Sequence, residues 1–219
     1  MLWTEQLFHV KKPIIAMLHL APLPGYPRFR YGDSMAVVVA HAKTDLAATV
    51  DAVFARGTFS GVYVGDGGLY NNDFSALLRR RAALHLDALK MLYFINPESD
   101  RNVAPRPLSE IACSTIFKTH PDGLCISANA AAQDVDDALI ASVKQAVREV
   151  AVLCNTGCRQ DTIARKLRLG DAAVVGTFFN EGGKLKSERL ENLRVDIRRV
   201  REFMDMVYRF RAELEGCEK

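Results

Sequence analysis

Short, nearly all-apolar runs alternate with amphipathic stretches six times along this chain, and few folds accept that pattern. The runs are 14–20 (IIAMLHL), one within 51–65 (DAVFARGTFSGVYVG), 90–95 (KMLYFI), 123–127 (GLCIS), 150–154 (VAVLC) and 172–179 (AAVVGTFF). None approaches the ~20 apolar residues of a membrane span. All are too continuously apolar for a strand with one face in water. Such runs read as strands buried on both sides, and the stretches between them carry helical patterning. The expectation is an α/β fold: a parallel sheet covered by helices, each helix serving as the crossover that parallel neighbours require.

Punctuation along the chain refines this. Within 51–65 either 52–56 or 59–64 can be the strand, with Gly57 between them. Helices are expected over 35–50 (capped by Ser34), 74–84, 109–118, 135–149 (capped by Asp134), 160–168 and 194–214. Pro and Gly concentrate in 21–32, and 66–73 reads as a loop. No linker or low-complexity segment divides the 219 residues, so they read as a single domain.

An open doubly wound sheet and a closed barrel both fit the alternation. The first would call for Gly-x-Gly-x-x-Gly after the first strand, and Leu20-Ala21-Pro22-Leu23-Pro24-Gly25 is unlike it. That absence also leaves no fingerprint that names a cofactor. The barrel is favoured by the polar residues at the carboxyl ends of the strands: His19, Asn96, Ser127, Asn155 and Thr177. In a (β/α) barrel those ends converge on one face and build the site. A full barrel has eight units in about 250 residues. Six are visible here, so the expected fold is a shortened or incomplete TIM-type barrel.

The net charge of +3 is mild, and the arginine groups (79–81 and 194–201) alternate with acidic or apolar residues. They read as solvated helix faces, and no nucleic-acid partner is expected. Five scattered cysteines (113, 125, 154, 158, 217) suit reduced thiols in a cytoplasmic protein better than a disulfide framework. The polar N-terminus lacks a secretory core.

Chemistry concentrates in VLCNTGCRQD, residues 152–161. Cys154 and Cys158 are spaced C-x₃-C without a second pair, and the histidines are dispersed, so no metal site is expected. Asp66 and Asp73 could offer oxygen ligands to a divalent cation, but they read better as solvated loop residues. Gly157 at a strand end, with a helix behind it, suits a turn whose backbone amides hold a phosphate. Gly176-Thr177 repeats the device one strand later, and paired glycine turns on the last strands are where many barrels bind phosphate. The plainer alternative is that both glycines only make tight turns. For proton transfer the candidates are His19, which ends an apolar strand, and Glu98 in Asn96-Pro97-Glu98. Their alternative roles are a hydrogen-bonded core histidine and an exposed loop charge.

Several stretches resemble the BtpA/SgcQ family. They are Lys12 to Gly25 (KPIIAMLHLAPLPG), Pro27-Arg28-Phe29, Gly32 to Met35, Phe59 to Tyr63, Phe94 to Glu98, Asp122 to Ser127, Asn155-Thr156-Gly157 and Ala173 to Phe179. The resemblance covers nearly the whole chain and implies a ribulose-phosphate-binding type of (β/α)₈ barrel. One branch of that family is tied to photosystem I biogenesis and another, whose wording this sequence follows more closely, to sugar-metabolism gene clusters. It implies an enzyme-like barrel of phosphosugar lyase or isomerase type, with no defined reaction, that binds a small phosphorylated or sugar-like metabolite at its carboxyl face. His19 and Glu98 would be acid and base. Asn96, Ser127, Asn155, Gly157, Gly176 and Thr177 would hold the ligand. Near 46–57 the chain departs from the family: about two β/α units are missing. Their loss would expose strand edges, which points to a homo-oligomer, a barrel closed with fewer strands, or a decayed chain. The alternative function is a non-catalytic assembly factor that uses the barrel as a scaffold.

Overall fold

The computed structural model describes residues 2–16, 52–56, 61–65, 68–72, 74–98, 100–103, 106–183 and 195–217. The expected helix over 35–50 with its Ser34 cap, the strand residues 17–20, and Asp66 and Asp73 lie outside the described residues. After helix α1 (Trp3–Phe8) come β1 (Ile14–Ala16), β2 (Ala52–Arg56), β3 (Gly61–Gly65), β4 (Gly68–Asn72) and α2 (Phe74–Ala83). Next follow β5 (Lys90–Phe94), β6 (Arg101–Asn102), α3 (Leu108–Thr119), β7 (Gly123–Ile126), α4 (Asp137–Ala146) and β8 (Ala151–Cys154). The chain then runs through α5 (Ile163–Leu169), β9 (Ala172–Val175), two 3₁₀ turns (Thr177–Phe179 and Glu181–Gly183) and α6 (Ile197–Cys217).

Six strands form one parallel sheet in the order β1-β9-β8-β7-β5-β2. That order is a cyclic permutation of chain order. A doubly wound sheet reverses direction at a switch point; here each step moves the same way, and the first strand pairs with the last. The topology is therefore that of an incomplete TIM-type barrel. The break falls between β1 and β2, which follow one another among the described strands but occupy opposite edges of the sheet.

Both expected locations within 51–65 are strands. β2 joins the parallel sheet, whereas β3 pairs antiparallel with β4 and β6 in a separate three-stranded sheet. The expected loop at 66–73 is thus largely strand. Asp66-Gly67 between the paired Gly65 and Gly68 is a two-residue hairpin signal that accounts for the difference. Val64 and Leu69, directly opposed in this hairpin, are exposed.

Alternation along the strands separates two cores. Met91, Tyr93, Leu124, Ile126, Val152, Cys154, Ala173 and Val175 face the helices, meeting Ile111 of α3, Ile140 and Val143 of α4, Ile163 and Leu167 of α5, and Phe203, Val207 and Phe210 of α6. Leu92, Cys125, Ala151, Leu153, Ala172 and Val174 face the barrel interior with Ile15 and Phe94. Trp3 of α1 joins this inner cluster, and its indole N–H donates to the Asp122 carbonyl at 2.7 Å.

The amino ends of the strands are tied by a repeated device. Asp122 immediately precedes β7, and its carboxylate accepts from the Met91 amide of β5 at 2.8 Å. Asp171 immediately precedes β9, and its carboxylate accepts from the Val152 amide of β8 at 2.9 Å. Asp171 is buried and also meets Lys144 of α4 at 2.5 Å and Lys12 at 3.8 Å. Removing one partner of a buried ion pair strands the other charge, which typically costs about 3 kcal/mol or more. Asp171→Ala is therefore expected to lower Tm by about 10 °C, read by circular dichroism. A loss of only a degree or two would show that Asp171 does not anchor the strand.

Candidate functional site

Strand alternation decides which polar residues meet. Phe94, Cys125, Leu153 and Val174 point inward, so the inward residues two positions on are Asn96, Ser127, Asn155 and Gly176. Register supplies the level: Phe94 pairs with Cys125, and Ile126 with Cys154. Carried past the strand ends, it sets Asn96 beside Ser127 and Ser127 beside Asn155. Hydrogen bonds join all three. The Asn96 side-chain amide donates to the Ser127 carbonyl at 2.5 Å, and the Ser127 backbone amide donates to Asn96 Oδ1 at 3.0 Å. Asn155 Nδ2 donates to Ser127 Oγ at 2.9 Å. Thr156 extends the rim by accepting from the Ala128 amide at 2.7 Å.

Beside this rim lies a recess of about 150 Å³ over β8 and β9. Asn155, Gly157, Gly176 and Thr177 line it, Glu98 and Phe94 approach from β5, and Ala131 and Ala132 approach from the loop after β7. Five of the expected site residues, Glu98, Asn155, Gly157, Gly176 and Thr177, therefore share one recess. Asn96 and Ser127 belong to the rim that holds Asn155 rather than to the lining. His19 lies outside the described residues, although Ala16 pairs with Val175 and so ends β1 at the level where the recess begins.

Three details differ from expectation. β9 ends at Val175, and Thr177–Phe179 is a 3₁₀ turn, so Gly176-Thr177 forms the corner after the strand. The helix behind Gly157 starts at 163 rather than 160, because the amides of Thr162 and Ile163 turn back onto the Arg159 carbonyl (3.1 and 2.9 Å). Thr162 Oγ1 also donates to the Gly157 carbonyl at 2.9 Å. The sequence after Gly157 thus builds a closed turn, not a helix end aimed at a ligand. Earlier in the chain, α4 begins after Asp136, whose carboxylate accepts from the Ala138 amide at 2.9 Å; Asp134, the expected cap, has another role.

Asp134 belongs to an ion cluster that sequence reading missed. Lys166 of α5 is fully buried, and its ammonium meets Asp134 at 2.6 Å, Asp137 at 3.0 Å and the Val135 carbonyl. Arg165 pairs with Asp134 at 2.7 Å and with Asp137. Burial alone would raise the Asp134 pKa, but hydrogen bonds from Lys166 and Arg165 hold it below the ordinary carboxylate value. Asp137 is likewise lowered, chiefly by its Arg165 hydrogen bond. Arg159, also missed, lines the recess with its guanidinium at 3.3 Å from Asp161 and 3.5 Å from the Ala132 carbonyl. Cys154 and Cys158 are buried thiols whose pKa values burial pushes up, that of Cys158 to about 12. Cys158 Sγ donates to the Cys154 carbonyl at 3.6 Å. Among the described residues no cluster of His, Cys, Asp or Glu is arranged to hold a metal ion.

Gly157 has φ +69°, and a Cβ there would stand 2.4 Å from Asp134 Cα and 2.6 Å from the Gln133 carbonyl oxygen. Gly182 has a similar φ of +73° but open space around it. Gly157→Ala should therefore cost about 3 kcal/mol, strain and collision together, whereas Gly182→Ala should cost about 1 kcal/mol from strain alone. Equal losses in denaturant titrations would show that the two loops do not meet as described. The lowered carboxylates give a second expectation. A depressed folded pKa contributes stability above the unfolded value, and that contribution is lost as pH falls through the folded one. Thermal stability should therefore drop on acidification below about pH 4, less steeply in an Asp134→Asn/Asp137→Asn variant. Identical slopes would remove the cluster from the acid response.

No helix of the described residues is long and apolar enough to cross a membrane. The chain aligns with the sgc region protein SgcQ of Escherichia coli (strain K12), 33% identical over 170 residues, which covers 78% of this chain and 61% of that protein. It thus spans less than two thirds of that relative's length. Among solved structures it is similar to phosphoribosyl anthranilate isomerase from Thermus thermophilus, at 12% identity and a TM-score of 0.42, over 91% of this chain and 88% of that one. Residues 39–209 match the BtpA family, and with more than half of its length inside that match the chain belongs to the BtpA family.

Proposed function

We propose that this chain binds a small phosphorylated or sugar-like metabolite at the carboxyl face of its barrel, with the anionic group in the recess over β8 and β9. The observation that carries this reading is the convergence of two glycine turns on adjacent strands, Asn155-Thr156-Gly157 and Gly176-Thr177, with Arg159 at the same recess. Glycines keep side chains out of the way of a ligand, the Thr177 hydroxyl and Asn155 amide can donate, and the guanidinium supplies charge suited to phosphate oxygens. Arg159 can be recruited at little cost. Its contacts are long, and its ion pair with the exposed Asp161 is of a kind that contributes little stability. The recess is small beside the roughly 300–1,000 Å³ of drug-sized pockets, so it suits the anionic group, with the rest of the metabolite reaching toward Asn96 and Ser127.

Glu98 stands at the same recess, which supports the reading that it takes or gives the proton. Together with His19 it completes the acid and base pair of this reading, a phosphosugar lyase or isomerase type of chemistry. We also read the chain as one domain over 1–219, shortened near 46–57, because β2, which lies in that stretch, and β1, the strand described before it, are the two edges of the sheet. A second reading, an assembly scaffold that self-associates, is favoured by the exposed apolar side chains of Val64 and Leu69 on the small sheet and of Val103 just after it. Light scattering separates the two: a monomer speaks against the scaffold.

Ligand binding to the native state stabilises it by about 2.7 kcal/mol at a hundred times Kd. Inorganic phosphate, and a pentose or triose phosphate more strongly, should therefore raise Tm by several degrees, and the unphosphorylated sugar should not. Arg159→Gln should abolish the shift while leaving the unliganded Tm within a degree of the parent. No shift in the parent with any phosphorylated compound rejects the reading.

A further inference from the structure

We infer that Lys166, absent from the lining of the recess, is the positioning residue that fixes the recess wall; the inference deepens the anion-binding reading and rests on it for its functional meaning. An ammonium has three donors, and here three acceptors from one short loop surround it: Asp134 Oδ1, Asp137 Oδ1 and the Val135 carbonyl. The loop so held runs directly from Ala131 and Ala132 of the recess wall. Ala132 sits at φ +62°, a left-handed conformation that a residue with a Cβ keeps only where its surroundings impose it. The same loop presses on Gly157, where the backbone of Gln133 and Asp134 occupies the space a side chain would need. Lys166 therefore ties α5 to the loop that continues from the Ala131-Ala132 wall and, through Asp134, to the Gly157 turn.

A merely structural role is a poor explanation for such a lysine. A buried, fully paired charge commonly gives no more stability than an apolar side chain of the same volume. What it does give is direction. Two hydrogen bonds, to Asp137 Oδ1 and the Val135 carbonyl, and an ion pair with Asp134 fix where residues 134–137 sit, and an apolar residue would supply none of them. Arg165 reinforces the arrangement from outside by holding the same two carboxylates. Arg159 approaches the Ala132 carbonyl at 3.5 Å, so the cation proposed to meet the ligand leans on the wall that Lys166 holds.

The test compares the full-length parent with Lys166→Met, Lys166→Arg and Asp134→Asn, using Asp171→Asn as a variant weakened at the opposite end of the sheet. Amide hydrogen exchange is followed in peptides covering 128–137 and 155–160, and inorganic phosphate is titrated by calorimetry. In Lys166→Met, exchange in those two peptides should accelerate about tenfold while β7 and β9 stay protected, and phosphate affinity should fall about tenfold. Asp171→Asn should lower Tm yet leave phosphate affinity unchanged, and Lys166→Arg should recover part of both losses. Should Lys166→Met fail to fold, Asp134→Asn is read in its place against the same expectations. Unchanged local exchange, a uniform rise across all peptides, or parental phosphate affinity in the folded variant overturns the inference. Absence of phosphate binding in the parent sinks the anion reading instead, and local exchange alone then decides whether Lys166 positions the wall.

Discussion

Parallel pairing with a fixed register is the constraint on which everything else rests. Successive side chains on a strand point to opposite faces, so a register of Phe94 with Cys125 and of Ile126 with Cys154 leaves no freedom in where Asn96, Ser127 and Asn155 end up. A slip of one residue would send all three toward the helices, into a layer built of Leu124, Ile140, Val152 and Leu167. Burying three unsatisfied amides and hydroxyls there would be prohibitive. The polar rim and the apolar outer core thus enforce the same register from opposite sides. Asp122 and Asp171 lock it at the amino ends by accepting amide hydrogens from the neighbouring strands.

Charge is used differently at the two ends of the sheet. At the amino end a single buried carboxylate, Asp171, gathers Lys144, Lys12 and a strand amide, so that helix α4, the approach to β1 and the edge of β8 are joined at one point. At the carboxyl end the polarity is reversed: a single buried ammonium gathers two carboxylates and a carbonyl. The first arrangement joins elements whose positions the sheet already sets. The second holds a loop that no strand pairing reaches, and that loop is the one bordering the recess.

Much of this was legible in the sequence, and the reasons for success and failure are physical. Both-side burial makes parallel strands apolar throughout, so β5, β7, β8 and β9 are visible as runs, and the polar residue after each run marks the rim. Asn155, Gly157, Gly176 and Thr177 could be named for that reason. The hairpin of β3 and β4 was harder because its strands are short and glycine-rich, with the signal carried by Asp66-Gly67 alone. Lys166 was invisible: in IARKLRL it reads as one more charged helix residue, and only the tertiary approach of residues 134–137 makes it buried. Arg159 was passed over because a basic residue in a turn carries no periodic signal.

The missing units bear less on the recess than on the edges. β9 is hydrogen-bonded on both sides, by β1 and β8, and β8 by β9 and β7, so the two strands beneath the recess have complete pairing. The break lies between β1 and β2, and β2 is separated from β8 by β5 and β7. Sheet geometry is transmitted from neighbour to neighbour, so the shape of the recess is set by pairings that the break does not interrupt. A chain built this way keeps intact the pairing beneath the recess while its sheet stays open on the far side, so the shape of the recess and the closure of the barrel are separate properties of the fold.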